Sequence, residues 1–403
     1  MLKKDHHLLY LISKSNHMES FNNTEIAFQS KSKFQLRKAY YLFKIMGNPS
    51  LSKLGTQLSK FALKFRLPIS RIIKKTVFQQ FCGGENIDEC YKTIDYLSNY
   101  NIKSIIDYSV EGKSTEADFN RTMNEVLVTL DIAKNNKQIP FVVFKCTGIG
   151  RAHLLEKVNL GYSLSTKEQE EYNRVFHRMD KICKKAHLYK VPVMIDAEES
   201  WIQDTIDKMI LELMKVYNKE LAIVYNTCQF YRYDRLNYLK KLHLDSIDKG
   251  YFIGIKFVRG AYMEKERERA KKLGYKSPIH ENKIDTDRDF NLALEYACEH
   301  NHEISICAGS HNEVSSLLLI KLMTKYKIKK NSHTIYFSQL LGMSDHISFN
   351  LASNGFNTVK YIPYGPVKEV LPYLIRRAEE NTSIAGQTGR ELGLIMEEIK
   401  RRS

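Results

Sequence analysis

Two adjacent arginines near the end of the chain, Arg376 and Arg377, are of a type and spacing that could hold a small carboxylate. Tyr373 lies within one helical turn of both, so the three side chains share one side of a predicted helix. A planar guanidinium pairs with a carboxylate through two parallel hydrogen bonds. The group could therefore bind a small carboxylate with an apolar body. The simpler interpretation is a solvated helix face on which Arg376 pairs with Glu380.

The segment that contains these arginines predicts a strand, a turn and a helix. The strand covers residues 358–362, and Pro363, Gly365 and Pro366 form the turn. The helix is predicted over residues 367–381, and Pro366 suits its start because the first turn leaves its N–H groups unpaired. This order places the arginines on a helix that directly follows a strand.

The composition indicates a large basic protein with a real core. The chain has 403 residues, of which 43% are hydrophobic, and a formal net charge of +16. This length allows one large domain with an appendage, or two domains. The charge permits anionic partners such as a phosphate-bearing cofactor or a membrane surface. Nucleic acid is not favoured as a partner, because the basic residues are spread along the chain instead of forming a recognisable module.

The cysteines and the hydropathy of the chain limit the cellular compartments in which the protein is expected. Seven cysteines are scattered without a Cys-x-x-Cys pair, so neither a disulfide framework nor a zinc site is predicted. This pattern favours a reducing compartment. No apolar run has the length of a membrane span or a signal-peptide core. We therefore expect a soluble protein or one that lies on a membrane surface.

The first hundred residues predict a polar extension followed by basic helices. Residues 1–23 show no sustained period and are predicted to be disordered. From residue 24 to residue 100 the apolar residues recur at helical spacing. Amphipathic basic helices of this kind pack on a protein surface or contact a membrane. The helical patterns are centred on residues 36–43, 58–65, 69–81 and 88–100.

After residue 101 short apolar runs alternate with helix-length segments. This alternation indicates a parallel sheet with crossover helices. Eight units match the size of a closed (β/α)8 barrel, so the fold class is α/β and the barrel domain covers residues 101–403. An open doubly wound sheet is the structural alternative. The predicted strands cover residues 102–109, 141–146, 191–196, 222–226, 252–258, 304–308, 334–337 and 358–362.

All eight predicted strands end in polar residues. The active site of such a barrel lies at the C-terminal ends of its strands. A polar mouth with charges of both signs suits a bound ligand, although strands also need polar residues where they leave the core. The segments are residues 107–112, Lys145, residues 196–199, 225–229, 256–262, 308–312 and 339–343, and Tyr361.

Among the other catalytic and binding motifs that the sequence could contain, only a Schiff-base lysine remains as an alternative. The glycines at residues 148–150 lack the third glycine of a dinucleotide fingerprint, and there is no P-loop. His300 and His302 are too close together for the usual helical pair of metal ligands, so no metal site is predicted. Lys145 or Lys256 could form a Schiff base, as in barrel aldolases.

The strand-end segments resemble those of the proline dehydrogenase family. The matching motifs are Asp-Tyr-Ser-Val-Glu, Asp-Ala-Glu-Glu, Val-Arg-Gly-Ala-Tyr, Ser-His-Asn, Gln-Leu-Leu-Gly-Met and Tyr-Leu-Ile-Arg-Arg, in the family's order. The resemblance implies an FAD enzyme that oxidises L-proline to Δ1-pyrroline-5-carboxylate by hydride transfer to flavin N5. This is the first step of proline catabolism to glutamate, and the electrons pass to a membrane quinone. FAD across the barrel mouth would explain the missing dinucleotide glycines.

The resemblance also implies roles for individual residues. Asp196 would order the site beside the flavin, Lys256 would stand near flavin N5, and Glu111 would close the site on Arg376. The residues implied at the substrate are Lys145, Leu340, Tyr361, Tyr373, Arg376 and Arg377. Those implied at FAD are Ala197, Asn226, Gln229, Val258, Arg259, Gly260, Ala261, Tyr262, Ser310 and His311, and the choice between Asn226 and Gln229 stays open.

Two positions refine this expectation. Bacterial bifunctional members of the family carry arginine where this chain has Lys256, and a lysine keeps the cation but loses the planar fork. We expect altered reactivity at this position, not loss of activity. Relatives that prefer hydroxyproline have a smaller residue in place of Tyr361, so its presence favours proline.

Two other classes of function remain open from the sequence. A Schiff-base aldolase could use the same barrel, and a basic scaffold could bind anionic surfaces without any cofactor. The expected partners of the dehydrogenase are L-proline, a membrane quinone and an anionic membrane surface. It would lie in the bacterial cytoplasm against the inner membrane, or on the matrix side of the mitochondrial inner membrane.

Overall fold

Eight parallel strands close into a barrel in the order of the chain, with β8 hydrogen-bonded to β1. The computed structural model describes residues 18–48, 73–109, 113–383 and 387–403. The predicted (β/α)8 fold is confirmed, and the open sheet is excluded. The strands are β1 Ile102–Tyr108, β2 Phe141–Lys145, β3 Val193–Asp196, β4 Val224–Gln229, β5 Ile253–Val258, β6 Ile304–Gly309, β7 Ile335–Leu340 and β8 Thr358–Tyr364.

The predicted strands stop too early where polar residues continue the ladder. β4 extends to Gln229, which pairs with Val258 of β5. β7 extends to Leu340, and its Gln339 pairs with Lys360 of β8. A search for apolar runs excludes such residues, yet the backbone hydrogen bonds of a closed barrel extend them to its mouth.

Helices cover the outside of the barrel and flank it at both ends of the chain. A π-helical turn, Lys74–Phe78, leads into α3, and a 3-10 turn, Cys146–Gly148, follows β2. The α-helices are α1 Thr24–Phe28, α2 Lys33–Met46, α3 Gln79–Phe81, α4 Ile87–Ser98, α5 Glu116–Lys134, α6 Ala152–Asn159, α7 Thr166–Tyr189, α8 Ser200–Tyr217, α9 Arg235–Lys249, α10 Met263–Leu273, α11 Lys283–Glu299, α12 Glu313–Lys325, α13 Asp345–Ser353, α14 Val367–Ser383 and α15 Gln387–Arg401.

The barrel is a packed core with large side chains in its interior. Phe141, Met194 and Tyr225 fill the space inside the strands. A Cβ atom at Gly254 would lie 2.5 Å from the Tyr225 ring, so any larger residue at this position would clash with that ring. A larger apolar layer lies between the strands and the outer helices. Burial on both faces explains why the strands read as continuous apolar runs.

A second apolar core joins the N-terminal helices to the C-terminal ones. Phe43 of α2 and Phe81 of α3 pack in one cluster with Val370 and Tyr373 of α14 and Leu394 of α15. The predicted helical region therefore supports α14, the helix that carries the two arginines.

A buried charge network fixes α1 and the following turn to the barrel. Lys31 Nζ lies 2.8 Å from one oxygen of Asp345, and Lys360 Nζ lies 2.9 Å from the other. Burial opposes ionisation of Asp345, but the two ammonium groups outweigh it and hold the pKa of that carboxyl far below its usual range. The network needs both lysines because a buried carboxylate is costly unless its charge is compensated.

The prediction that residues 1–23 are disordered is wrong for its last six residues. Phe21 is fully buried in the outer barrel core. Asn23 Oδ1 accepts a hydrogen bond from Ile26 N at 3.0 Å and caps α1. Residues 1–17 and the predicted helix at residues 58–65 lie outside the described residues.

The seven cysteines are free and buried. Within the ranges that the structure describes, no helix combines the length and the apolar character needed to cross a membrane.

Candidate functional site

A cavity of about 630 Å³ opens at the C-terminal ends of the strands. The pairing register of the strands places the polar residues of this cavity at the same height in the barrel. Lys145 pairs with Asp196 across β2 and β3, and Leu340 pairs with Tyr361 across β7 and β8. Residues that are far apart in the chain therefore meet at one mouth.

A carboxylate between two lysines lies at the bottom of this mouth. Asp196 Oδ2 lies 3.2 Å from Lys145 Nζ and accepts a hydrogen bond from the Tyr361 hydroxyl at 2.9 Å. Its Oδ1 accepts a hydrogen bond from Lys256 Nζ. Burial alone would raise the pKa of Asp196, but Lys256 and Lys145 outweigh burial and lower the pKa to about 2. The cluster therefore has an ionised carboxylate at neutral pH.

A second carboxyl group, Asp107, lies behind this cluster. Its Oδ2 is 3.8 Å from Lys145 Nζ and accepts a hydrogen bond from Ser109 Oγ. Burial raises the pKa of Asp107, and the nearby lysine offsets this only in part. Asp107 stood at a predicted strand end, as the first residue of the Asp-Tyr-Ser-Val-Glu motif, but was given no role of its own.

Tyr361 stays a neutral hydrogen-bond donor. Burial raises the pKa of Tyr361 well above its ordinary value, and the charges of Asp107 and Asp196 raise it further. Lys256 Nζ lies over its ring, 5.1 Å from the ring centre. One tyrosine thus offers the cavity an aromatic wall while its hydroxyl holds Asp196.

The arginines of α14 form another wall of the cavity. The guanidinium of Arg377 lies 4.9 Å from the centre of the Tyr373 ring, and that of Arg376 lies 5.9 Å from the centre of the Tyr262 ring. Arg377 is buried and Arg376 is half-buried. The side chain of Glu380 lies outside the described part of the chain, so the alternative pairing on this helix stays untested.

A third part of the lining is rich in hydrogen-bond donors. Arg259 donates from Nη1 to Ser310 Oγ at 2.8 Å and from Nε to Asp287 at 2.7 Å. The N-terminus of α12 also reaches the cavity, and Asn312 caps it by accepting a hydrogen bond from Ser315 N at 3.0 Å. A helix N-terminus carries partial positive charge and binds anions such as phosphate.

Gly260 and His311 complete this part of the lining. Gly260 has φ +138, and a Cβ there would lie 2.5 Å from the Tyr231 ring, so this position requires glycine. His311 Nδ1 lies 2.9 Å from Ser344 Oγ. Burial, together with the positive charges of Lys360 and Arg377, lowers the pKa of His311 to about 3. The imidazole is therefore neutral.

Most of the residues that the sequence implied meet in this one cavity. Those in its lining are Lys145, Asp196, Ala197, Gln229, Lys256, Val258, Arg259, Gly260, Ala261, Tyr262, Ser310, His311, Leu340, Tyr361, Tyr373, Arg376 and Arg377. Glu111 lies outside the described residues.

Asn226 does not line the cavity. Its Nδ2 donates to Asp207 at 2.9 Å and to the Tyr238 hydroxyl at 3.0 Å, behind the strand. Gln229 does line it, and its Oε1 accepts a hydrogen bond from Ala261 N at 3.4 Å. The two residues are three apart on one strand, so they point to opposite faces.

Several lining residues were missed. Gln339 donates to the Ser310 carbonyl at 3.0 Å, and both Gln339 and Asn312 stood in strand-end segments where they could have been named. Lys283 and Arg390 also line the cavity. They come from helices outside those segments, and the sequence offered no signal for them.

Comparisons with known proteins identify the family of this chain. The sequence model of the proline dehydrogenase family matches residues 90–390. A protein of Dictyostelium discoideum, proline dehydrogenase 1, mitochondrial, is 33% identical over 94% of this chain and 74% of its own length. The carbapenem antibiotics biosynthesis protein CarD of Pectobacterium carotovorum subsp. carotovorum is 31% identical over 89% of this chain and 94% of its own length.

A solved structure has the same fold. Proline utilization A from Bdellovibrio bacteriovorus, inactivated by N-propargylglycine, has a TM-score of 0.70 at 18% identity. The match covers 95% of this chain but only 41% of that protein, so this chain spans less than half of its length. The family match runs through nearly the whole barrel and includes the residues of the mouth. The chain therefore belongs to the proline dehydrogenase family, whose members are oxidoreductases that act on proline.

Proposed function

We propose that this protein oxidises L-proline to Δ1-pyrroline-5-carboxylate, with FAD as cofactor and a membrane quinone as electron acceptor. The C5–H bond of proline breaks with its electron pair, the nitrogen loses a proton, and a C=N bond forms. The observation that carries the proposal is one cavity that combines two arginines with a carboxylate–lysine cluster. The reaction is the first step in the conversion of proline to glutamate.

Arg376 and Arg377 are proposed to bind the proline carboxylate. Guanidinium groups match a carboxylate in charge and in geometry. The rings of Tyr361 and Tyr373, with Leu340, offer apolar surface to the pyrrolidine ring. Fixing a substrate in a reactive orientation can contribute roughly 7–11 kcal/mol toward lowering a barrier. The hydroxyl of Tyr361 is held by Asp196, so its ring keeps one position beside the substrate.

Lys145 and Lys256 are proposed to supply positive charge beneath the substrate. Both lie against Asp196, so their positions in the cavity are fixed by ion pairs. Lys145 would assist the arginines electrostatically, and Lys256 would favour negative charge on the groups that it faces. Asp196 thereby positions both cations.

The chemistry of the cavity lining fits FAD. Arg259, Ser310 and the N-terminus of α12 offer the donors that a pyrophosphate needs. Gly260 lets the backbone lie close to a neighbouring group, and Ala261 adds little bulk. When bound, FAD supplies the hydride acceptor, flavin N5. Of the two candidates for the flavin contact, Asn226 and Gln229, we propose Gln229, because it lines the cavity.

The aldolase alternative is less consistent with the site. A Schiff base needs a neutral amine, because an ammonium group has no lone pair for attack on a carbonyl. Lys145 and Lys256 are both ion-paired with the Asp196 carboxylate, so neither side chain is placed to attack a carbonyl group.

An exposed face of α2 supports contact with a membrane. Phe34 is 76% exposed and Ile45 is 53% exposed, and Tyr41 lies exposed between them on the same side of the helix. Arg37 and Lys44 lie exposed along one side of this apolar stripe. An apolar face bordered by basic residues suits an anionic bilayer surface, where a quinone would also be available. We propose that the protein lies against an inner membrane, on the mitochondrial matrix side or in the bacterial cytoplasm.

Substitution of either arginine by methionine should weaken proline binding. Arg376→Met and Arg377→Met each remove charged hydrogen bonds, and each should raise the KM for L-proline about 10- to 100-fold. The measurement is proline-dependent reduction of a soluble acceptor, with FAD content determined in parallel and expected to be unchanged. Arg121→Met, an exposed arginine on α5, serves as the control and should leave KM as it is. A variant of either cavity arginine with wild-type KM would show that the carboxylate binds elsewhere.

Asp196→Asn should destabilise the fold in a pH-dependent way. It leaves Lys145 and Lys256 without their shared partner, at an expected cost of about 3 kcal/mol near neutral pH. The folded-state pKa of Asp196, about 2, lies below its ordinary value of 3.8. The carboxylate therefore stabilises the protein above about pH 4, and this contribution is lost as the pH falls toward 2.

Urea unfolding of the wild type and of Asp196→Asn at several pH values measures this difference. The difference in unfolding free energy should be constant near neutrality and should shrink below about pH 4. Glu295→Gln breaks an exposed pair with Lys325 and should cost less than about 1 kcal/mol. The interpretation fails if Asp196→Asn costs no more than this control.

Removal of the apolar stripe should reduce membrane binding. The double variant Phe34→Ser/Ile45→Ser should bind vesicles containing anionic lipid at least about tenfold more weakly, since each buried apolar side chain is worth about 1.5–3 kcal/mol. Ile284→Ser is the matched control, because Ile284 is 78% exposed but lies on α11. Co-sedimentation measures binding, and activity with a soluble acceptor should not change. Equal loss in the control, or no loss in the double variant, would rule out α2 as the contact.

A further inference from the structure

Two histidines and a glutamate meet at the start of the barrel strands, at the opposite end from the cavity. His243 comes from α9, His300 is the C-cap of α11, and Glu303 directly precedes β6. The Glu303 carbonyl accepts a hydrogen bond from Ile253 N, the first residue of β5, at 2.9 Å. Each of the three side chains offers one ligand atom, and these atoms all lie within 4.8 Å of one another.

His243 has a buried ring nitrogen that lacks a hydrogen bond. The residue is 2% exposed, and its Nδ1 lies 2.8 Å from the Tyr296 hydroxyl. Its Nε2 has no hydrogen-bond partner among the described residues. A buried nitrogen that stays unpaired destabilises the fold, and a bound ion would remove this cost.

The other two side chains are available to a ligand. In the described part of the chain, the His300 ring and the Glu303 carboxylate form no hydrogen bond or ion pair with another side chain. The His300 ring instead packs beside those of His243 and Tyr296, with centroid distances of 4.5 and 4.7 Å. Both His300 and Glu303 are half-buried, so an ion could reach them from solvent.

The contacts of His243 suit coordination. The Tyr296 hydroxyl on the other ring nitrogen resembles the outer contacts that orient ligating histidines.

We propose that His243, His300 and Glu303 form a binding site for a divalent transition-metal ion of the zinc type. Two imidazoles and one carboxylate form the ligand set of open zinc sites, in which water takes the fourth position. Bonds of about 2.1 Å place tetrahedral ligand atoms about 3.4 Å apart, so small rotations of His300 and Glu303 would close the site.

The proposed ion ties α9 to the end of α11 and the start of β6. Because the site lies at the far end of the barrel from the substrate cavity, the ion has no part in proline oxidation, and it contributes to stability instead. The site was not recognised from the sequence, because the partner of His300 is a histidine on another helix and not the neighbouring His302.

The test is zinc binding by the full chain after treatment with a chelator. Titration with Zn²⁺ against a chromogenic chelator should give one tight site per chain. His300→Ala and Glu303→Gln should each weaken it by more than tenfold, and Tyr296→Phe should weaken it about 10- to 100-fold. Co²⁺ should give visible absorption bands in the wild type, and these should disappear in the double variant His300→Ala/Glu303→Gln.

His302→Ala is the matched control, since it removes an exposed imidazole two residues from His300 but outside the cluster. It should bind Zn²⁺ as the wild type does. Zn²⁺ should also raise the melting temperature of the wild type and of His302→Ala, and leave that of the double variant unchanged. Absence of a one-to-one site in the wild type, or its survival in the double variant, would overturn the proposal.

Discussion

The carboxylate of Asp196 lies between the ammonium groups of Lys145 and Lys256 and beneath the hydroxyl of Tyr361. Four strands supply this contact, and none of its charges is tolerable alone because a buried charge without a partner is costly. The contact therefore depends on a closed barrel in the observed register. It also fixes the two cations and the aromatic ring that face the cavity. The positions of these side chains are thus determined by the pairing of the strands, and the side-chain types then determine the charges of the site.

The arginines of the mouth are positioned in another way. Arg376 and Arg377 lie on α14, which follows the last strand, and apolar residues of α14 pack in the second core with helices from the beginning of the chain. Phe43 and Phe81 belong to that second core together with Tyr373. The N-terminal helices therefore support the arginine wall of the cavity, while α2 keeps an exposed apolar stripe. One region can in this way connect the site and the proposed membrane contact.

The fold could be predicted well because eight alternating strand and helix segments match the size of a closed (β/α)8 barrel. The polar residues at the strand ends could also be recognised in the sequence. The details that failed depend on side-chain direction or on partners distant in the chain. The sequence pattern could not show that Asn226 points away from the cavity while Gln229 points into it. The predicted strand ended at residue 226, whereas β4 extends to Gln229. The burial of Phe21 was not visible because its partners come from the outer barrel core. Arg390 and His243 likewise meet their neighbours only in three dimensions.

The most direct test of the account is the visible absorption spectrum of the purified protein, recorded without oxygen before and after addition of L-proline. We expect a flavin spectrum that bleaches with L-proline and not with hydroxyproline, because the Tyr361 ring is proposed to pack against the pyrrolidine ring. A flavin spectrum that L-proline leaves unchanged would contradict the proposed substrate. A protein that stays colourless even after FAD is added would contradict the proposed function as a whole.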